Sequence, residues 1–384
     1  MADSSTKPVT NGTMGIASRP VQAVLDQAGI VLNGPNPWDI QIKDESMLLR
    51  LLIGGSLALG ESYMDGKWEV EQLDEMIHRL LRSPLAQKSS YLPQLWMRLM
   101  AILFNLQKQS RAFQVGQEHY DLGNDIYETM LDRRMVYTCG YWRNADTLDQ
   151  AQEDKLELVC RKLDLKPGMR VLDIGCGWGS FAEYAAGKYG CEVVGVTVSK
   201  EQVELAEERC AGLPVSFRLQ DYRAVREQFD AIVSLGMFEH VGHKNYRTFM
   251  EVLLRCMKPE SLAMLHTIGK NNSLPGVDPW IARYIFPNGE IPSLRRISHA
   301  LEPELMVEDL HNFGPDYDRT LMSWYRNFDA GWEKLRDRYS ERFYRMWTYY
   351  LQVCAGAFRA RDLQLWQFVL SLGNSPTTYR RPDF

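Results

Sequence analysis

The middle of the chain alternates short apolar runs with longer amphipathic ones. The runs at 170–174, 192–197, 215–219, 229–234 and 261–268 are mostly apolar and bounded by polar or turn-forming residues. Runs of this length predict strands buried on both faces. The stretches 151–164, 180–189, 199–210 and 245–257 read as helices. Strands alternating with helices predict an α/β fold, a doubly wound parallel sheet covered on both sides. This pattern sits inside a larger unit, expected over 115–384, in which 317–370 reads as helical and dense in aromatic residues. A smaller, mainly helical unit is expected over 20–110; it carries GGSLALGESYMDGKWE at 54–69. There is no internal repeat and no low-complexity tract.

Residues 1–19 are rich in Ser, Thr, Gly and Pro and lack an apolar core. They predict a flexible tail rather than a secretory signal. The most apolar stretch of the N-terminal third, LPQLWMRLMAILFNL at 92–106, is interrupted by Gln94, Arg98 and Asn105, so it does not predict a membrane span. Residues 76–117 contain no Asp or Glu but carry Arg79, Arg82, Lys88, Arg98, Lys108 and Arg111. Basic charge beside Leu95, Trp96, Leu99, Met100, Leu103 and Phe104 suits an anionic bilayer surface. A helix between two units, its charges facing solvent, reads the same way.

The 384 residues carry a formal net charge of -5, which argues against a nucleic-acid binder. The seven cysteines are scattered, with no C-x-x-C pair. That pattern predicts neither a disulfide framework nor a structural zinc site, and it fits a reducing cytoplasm.

The first strand runs into a glycine loop, VLDIGCGWGS at 171–180. Bare backbone there lets a ligand lie close to a helix N-terminus, beyond the carboxyl ends of the strands. The dinucleotide fingerprint also needs an acid about 20 residues on, at the end of the second strand. Here that strand ends in Gly195-Val196-Thr197-Val198. Asp173, Gly175, Gly177 and Gly179 instead give D-x-G-x-G-x-G, which resembles motif I of class I S-adenosylmethionine-dependent methyltransferases. A tight strand–helix turn with no ligand is the plainer alternative. Thr197, Ser199 and Gln202 could replace the missing ribose acid, although Ser199-x-x-Gln202 also fits a capping box. After the third strand, Asp221 could accept the adenine amino group with Tyr222 packed on the ring; an ordinary polar loop is the alternative.

An ordered set of stretches carries a wider resemblance. These are VGQEHYDLGNDIYETML (115–131), MVYTCGYW (135–142), VLDIGCGWGS, GVTVSKEQ (195–202), SLGMFEHVGHKNY (234–246), LHTIG (265–269), DPWIARYIFPNG (278–289), HNFGPDYDRTLMSWY (311–325) and CAGAFRARDLQLWQ (354–367). Together they resemble the cyclopropane-fatty-acyl-phospholipid synthases, in the bacterial form with an additional N-terminal domain. The resemblance runs from about residue 20 to about 372 and includes GSLALGESYMDGKWE.

The resemblance implies transfer of a methyl group from S-adenosylmethionine to a cis double bond of a phospholipid acyl chain, then ring closure by loss of a proton. It implies a bicarbonate ion as the base, held by Cys139, Glu239, His266, Ile268 and Tyr317. Cys354 joins them as a pocket residue, since the sulfonium already activates the methyl group and no covalent nucleophile is needed. The cofactor positions expected are Tyr137, Thr138, Gly175, Cys176, Gly177, Thr197, Val198, Ser199, Gln202, Asp221 and Tyr222. An apolar, aromatic pocket suits a carbocation, which ring faces stabilise without trapping. His240, His243, His266 and His311 show no metal-binding spacing, so no metal is expected. The resemblance further implies a homodimer at the inner face of the membrane. The alternatives are a lipid methyltransferase that stops at a methyl or methylene branch, a small-molecule methyltransferase, and a catalytically dead membrane-binding protein.

Overall fold

A computed structural model describes residues 18–84, 123–376 and 378–383. The tail before residue 18 and the apolar, basic stretch over 85–117 lie outside the described residues.

The chain opens with α1 (Ser18–Leu25), the short strand β1 (Gln41–Ile42), α2 (Ser46–Met64), its partner β2 (Trp68–Glu69) and α3 (Leu73–Arg82). Then come α4 (Asn124–Met130), α5 (Leu148–Lys162), β3 (Arg170–Ile174), α6 (Ser180–Tyr189), β4 (Glu192–Thr197), α7 (Lys200–Arg209), β5 (Val215–Leu219) and β6 (Phe229–Leu235). They are followed by α8 (Tyr246–Cys256), β7 (Met257–Lys270), α9 (Pro279–Tyr284), α10 (Leu294–Leu301), β8 (Leu305–Asn312), α11 (Pro315–Gly331), α12 (Glu341–Arg359) and β9 (Leu363–Leu372).

The main sheet has seven strands in the order β5-β4-β3-β6-β7-β9-β8. Its first five strands pair in parallel, and β9 is inserted antiparallel between β7 and β8. Three strand predictions, 170–174, 192–197 and 215–219, coincide with β3, β4 and β5. The expected helical stretch 317–370 divides into α11 and α12 and then ends in a strand, β9. Eight of the ten β9 residues are buried, so its run LQLWQFVLSL shows no polar alternation to separate it from the apolar helix before it.

One core cluster packs β6, β7 and β9 against α8 and α10; another packs β3, β4 and β6 against α5 and α6. A third joins Trp68, Met76 and Ile77 of the N-terminal elements to Trp280, Trp324, Trp347 and Tyr349. Trp280 fits here because residue 60 is glycine: a Cβ there would lie 2.4 Å from the indole.

Candidate active site

Four βα loops meet at the carboxyl ends of β3, β4, β5 and β6. The first carries three glycines with positive φ: Gly175 (+81°), Gly177 (+53°) and Gly179 (+79°). A Cβ on Gly175 would lie 2.7 Å from Met237, and one on Gly179 would lie 2.8 Å from Phe217. A Cβ on Gly177 would meet nothing within 4 Å. The outer glycines therefore serve packing, while Gly177 keeps an open space beside the start of α6. Open space of this kind, at a helix N-terminus, leaves backbone N–H groups accessible to a ligand. The loop is fixed by Gly175 and Cys176, whose N–H groups both donate to Val196 O, at 2.9 and 3.2 Å.

At the end of β4, Thr197 Oγ1 donates to Gln202 Oε1 at 2.7 Å, and Gln202 N donates to Ser199 Oγ at 3.3 Å. Ser199 thus caps α7 while Thr197 and Gln202 hold each other. Half-buried Val198 links the two. Asp221, at the end of β5, is held by its neighbour Arg223. Its carboxylate takes Arg223 Nε at 2.9 Å and Nη2 at 2.6 Å, and also the Arg223 N–H. The Tyr222 ring packs on Phe249, 5.5 Å between centroids.

The loop over 137–142 crosses from the cofactor side to α11. Thr320 Oγ1 accepts from Gly140 N at 3.1 Å and Trp142 Nε1 at 2.8 Å, and lies 3.9 Å from Cys139 Sγ. Trp142 N donates to Asp316 at 2.7 Å. On the other side, α5 supplies a fully buried Gln152 and a fully buried Lys155. Gln152 Nε2 donates to Thr138 O at 2.7 Å, and Lys155 Nζ donates to Thr138 Oγ1 at 2.8 Å. Burial lowers the Lys155 pKa to about 8, against the pull of Asp132, Cys139 and Asp173. Tyr137 packs between Tyr127 and Trp324, with centroids 5.2 Å from each.

Beyond β6, a single 3-10 turn presents Glu239. Its Oε1 accepts the Ile268 N–H at 2.6 Å. Its Oε2 is buried without a hydrogen-bond partner. Burial raises the Glu239 pKa to about 7, partly offset by the Ile268 N–H. The Ile268 amide, expected to face an anion directly, is thus given to Glu239. His266 lies two residues earlier on β7 and therefore on the same face as Ile268. It is 1 % exposed, and its Nε2 also lacks a partner. Burial, with the charges of Lys155 and Lys162 adding to it, holds the His266 pKa well below the usual range.

Tyr317, in the first turn of α11, faces the same pocket. Its phenol is held well above the usual pKa by burial first and then by Cys139, Glu239, Tyr137 and Cys354. Its ring lies 4.5 Å from Phe358 and 6.0 Å from Trp324. Cys354 is half-buried on α12, its thiol pushed up to about 12 by burial. A thiol kept protonated in this way is not a nucleophile.

The structure thus brings Cys139, Glu239 and Cys354 close to Tyr317, ties Ile268 to Glu239, and sets His266 on the same face of β7 as Ile268. It also shows partners that the motifs alone did not single out: Thr320, Asp316, Gln152, Lys155 and Gln367, whose Nε2 lies 3.2 Å from His266 Nδ1. The spacing of Gln152 and Lys155, one helical turn apart, was a usable signal. Thr320 and Gln367 act through contacts remote in sequence. Among the described residues no group of three or more His, Cys, Asp or Glu could hold a metal ion.

Comparison with known proteins agrees with this geometry. The family model described as mycolic acid cyclopropane synthetase matches residues 107–368. The chain is 56% identical over 351 residues to the cyclopropane-fatty-acyl-phospholipid synthase of Escherichia coli, covering 91% of this chain and 92% of that protein. Among solved structures, the cyclopropane synthase MmaA2 from Mycobacterium tuberculosis superposes with a TM-score of 0.63 at 31% identity, covering 67% of this chain and 97% of that one. The mycolic acid cyclopropane synthase CmaA1, solved with SAH and CTAB, gives 0.63 at 32% identity with the same coverage of both chains. The glycine loop, the strand order and these likenesses converge: the chain belongs to the mycolic acid cyclopropane synthetase family, S-adenosylmethionine-dependent methyltransferases of the class I fold.

Proposed function

We propose that this enzyme builds cyclopropane rings in the unsaturated acyl chains of bilayer phospholipids, with bicarbonate as the base. S-adenosylmethionine supplies an electrophilic methyl group. The π electrons of a cis double bond form the new C–CH3 bond, and the C–S bond breaks with its electrons moving to sulfur. The positive charge left on the chain lies among the faces of Tyr317, Trp324 and Phe358. Loss of a proton from the new methyl group then lets its C–H electrons close the ring.

The observation that carries this reading is that Glu239 Oε2 and His266 Nε2, just beyond β6 and towards the end of β7, are among the buried polar atoms without a hydrogen-bond partner. Buried polar groups are otherwise almost always paired. A small oxyanion that also bears one O–H group fits both: it donates to Glu239 and accepts from its surroundings. Bound bicarbonate supplies a base for the methyl proton. Tyr317 and Cys139, both kept protonated, border the same space. Cys354 forms part of the wall.

The lipid leaflet is the substrate's setting, and two features support docking there. One is the basic, apolar stretch within 76–117. The other is the first half of α2, where Leu49, Leu52 and Ile53 are 60%, 47% and 84% exposed, just before a break at Gly55. The second half of α2 packs on Trp280 and Tyr284, so the helix leads from an exposed apolar tip towards the aromatic pocket. Among the described residues no helix is long and apolar enough to cross a membrane. In this reading 20–110 form the lipid-associated unit, 115–384 the catalytic unit, and two chains act together at the cytoplasmic face of the membrane.

The test is mass spectrometry of unsaturated phospholipid vesicles incubated with the enzyme and methyl-deuterated S-adenosylmethionine. The expected lipid gains one carbon, keeps two of three deuterons and no longer reacts as an alkene. Retention of all three deuterons would leave simple methylation and remove the base. Labelled small acceptors with unlabelled lipid would remove the lipid substrate.

A further inference from the structure

Strand β9 lies beside β7 in antiparallel register, with Gln367 directly opposite His266. Gln367 is fully buried, and its side-chain Nε2 meets His266 Nδ1 at 3.2 Å. An amide nitrogen can only donate. Nδ1 must therefore accept, and a neutral imidazole that accepts at Nδ1 carries its proton on Nε2. The ring is neutral, because burial and the nearby Lys155 and Lys162 charges both oppose a second proton. Nε2 is then an N–H donor, and it is the His266 atom without a protein partner.

We infer that Gln367 is a positioning residue that fixes His266 as its Nε2–H tautomer and so makes it a donor towards the reaction pocket. The inference rests on the proposed anion only for what receives the donor; the tautomer follows from the amide orientation, in which Gln367 Nε2 faces Nδ1 and Oε1 is left without a hydrogen-bond partner. With Glu239 as acceptor and His266 as donor, the two side chains form a complementary pair. An ion with one O–H and one negative oxygen satisfies it, and its basic oxygen stays oriented to the substrate. Gln367 closes the stretch CAGAFRARDLQLWQ, 101 residues after His266, and the resemblance gives it no role. The rotated amide would place Oε1 on Nδ1, reverse the tautomer and turn Nε2 into an acceptor, which repels an anion.

The experiment is nitrogen-15 spectroscopy of the full-length enzyme labelled at histidine, with the His266 signal identified by its loss in His266→Gln. The expected spectrum shows a neutral ring protonated at Nε2 in the wild type. A ring protonated at Nδ1 overturns the inference. Addition of bicarbonate should shift the Nε2–H signal. If the Nε2–H form is present but unmoved by bicarbonate, the role of Gln367 stands and the anion in the proposed function falls. In Gln367→Glu a carboxylate can only accept, so the proton should move to Nδ1. Turnover should fall at least tenfold, in kcat rather than in the KM for S-adenosylmethionine. A correctly folded Gln367→Glu enzyme with wild-type kcat would also overturn the inference.

Discussion

The Thr320 hydroxyl is the anchor of Gly140: its Oγ1 takes the Gly140 N–H at 3.1 Å across 180 residues of sequence. The same oxygen accepts the Trp142 indole at 2.8 Å. Two donors thus depend on one acceptor, and both flank the loop that carries Thr138 and Cys139. Thr320→Val keeps the shape and removes that acceptor, leaving buried N–H groups unpaired, at about 1–3 kcal/mol each. Thermal unfolding should fall by several degrees and turnover by roughly tenfold. An unchanged Tm would mean that the loop is held elsewhere.

Glu239→Gln should separate chemistry from folding. The amide keeps an acceptor for Ile268 N but cannot become an anion. Turnover is expected to drop about 10²-fold or more, with S-adenosylhomocysteine affinity changed less than about threefold. Comparable losses in both would assign Glu239 to structure.

The same substitution carries a sign in pH. The folded pKa of Glu239 is raised from 4.5 to about 7. Below 4.5 the carboxyl is neutral folded and unfolded, and its neutral form costs nothing extra. As pH rises from there to 7, the unfolded chain ionises while the folded one resists, so stability is lost through this window. Glu239→Gln removes that loss. Without bicarbonate its Tm should match wild type near pH 4 and exceed it by roughly 2–4 °C at pH 8. A constant difference across pH would place the raised pKa in doubt.

The glycine loop offers a paired comparison. Alanine at 177 takes up the open space and accepts a positive φ, at about 1 kcal/mol. Alanine at 179 must also displace Phe217. Calorimetry with S-adenosylhomocysteine should show Gly177→Ala losing at least tenfold in affinity at a nearly wild-type Tm. Gly179→Ala should show the larger fall in Tm. The reverse order would move the cofactor away from Gly177.

Leu52→Asp with Ile53→Asp, at an exposed apolar tip, should leave S-adenosylhomocysteine binding intact and reduce sedimentation with anionic unsaturated vesicles severalfold. Arg98→Glu with Lys108→Glu should do the same and steepen as salt is lowered. If the tip variant instead changes oligomeric state while vesicle binding holds, the patch is a contact between chains.

How much of this could be read beforehand depended on the range of the interactions. The strand–helix alternation from β3 to α8 was legible because each element carries its own periodicity and ends in its own turn residues. The glycine loop was legible for the same reason, since positive φ at Gly175, Gly177 and Gly179 is a local requirement. Strand β9 was not, because a strand buried on both faces has the same apolar texture as the helix before it. The edge strand β8 also went unread. Lys155 looks in sequence like a charge on a solvated helix face, and only Thr138 packed against α5 reveals it as buried. Asp221 was legible only in part. Its position after β5 suggested a ligand contact, but the Arg223 side chain that shares its carboxylate, two residues on, was not foreseen.

The register of β9 has a consequence for biosynthesis. His266 acquires its neighbour only when Gln367 arrives, and Gln367 lies in the final strand of the sheet. A nascent chain can form the glycine loop and its surrounding strands well before that point. It cannot complete the histidine's hydrogen-bond environment until β9 has left the ribosome and slid between two strands already made. Cofactor binding and competence for ring closure should therefore mature separately, the second waiting on the synthesis of β9.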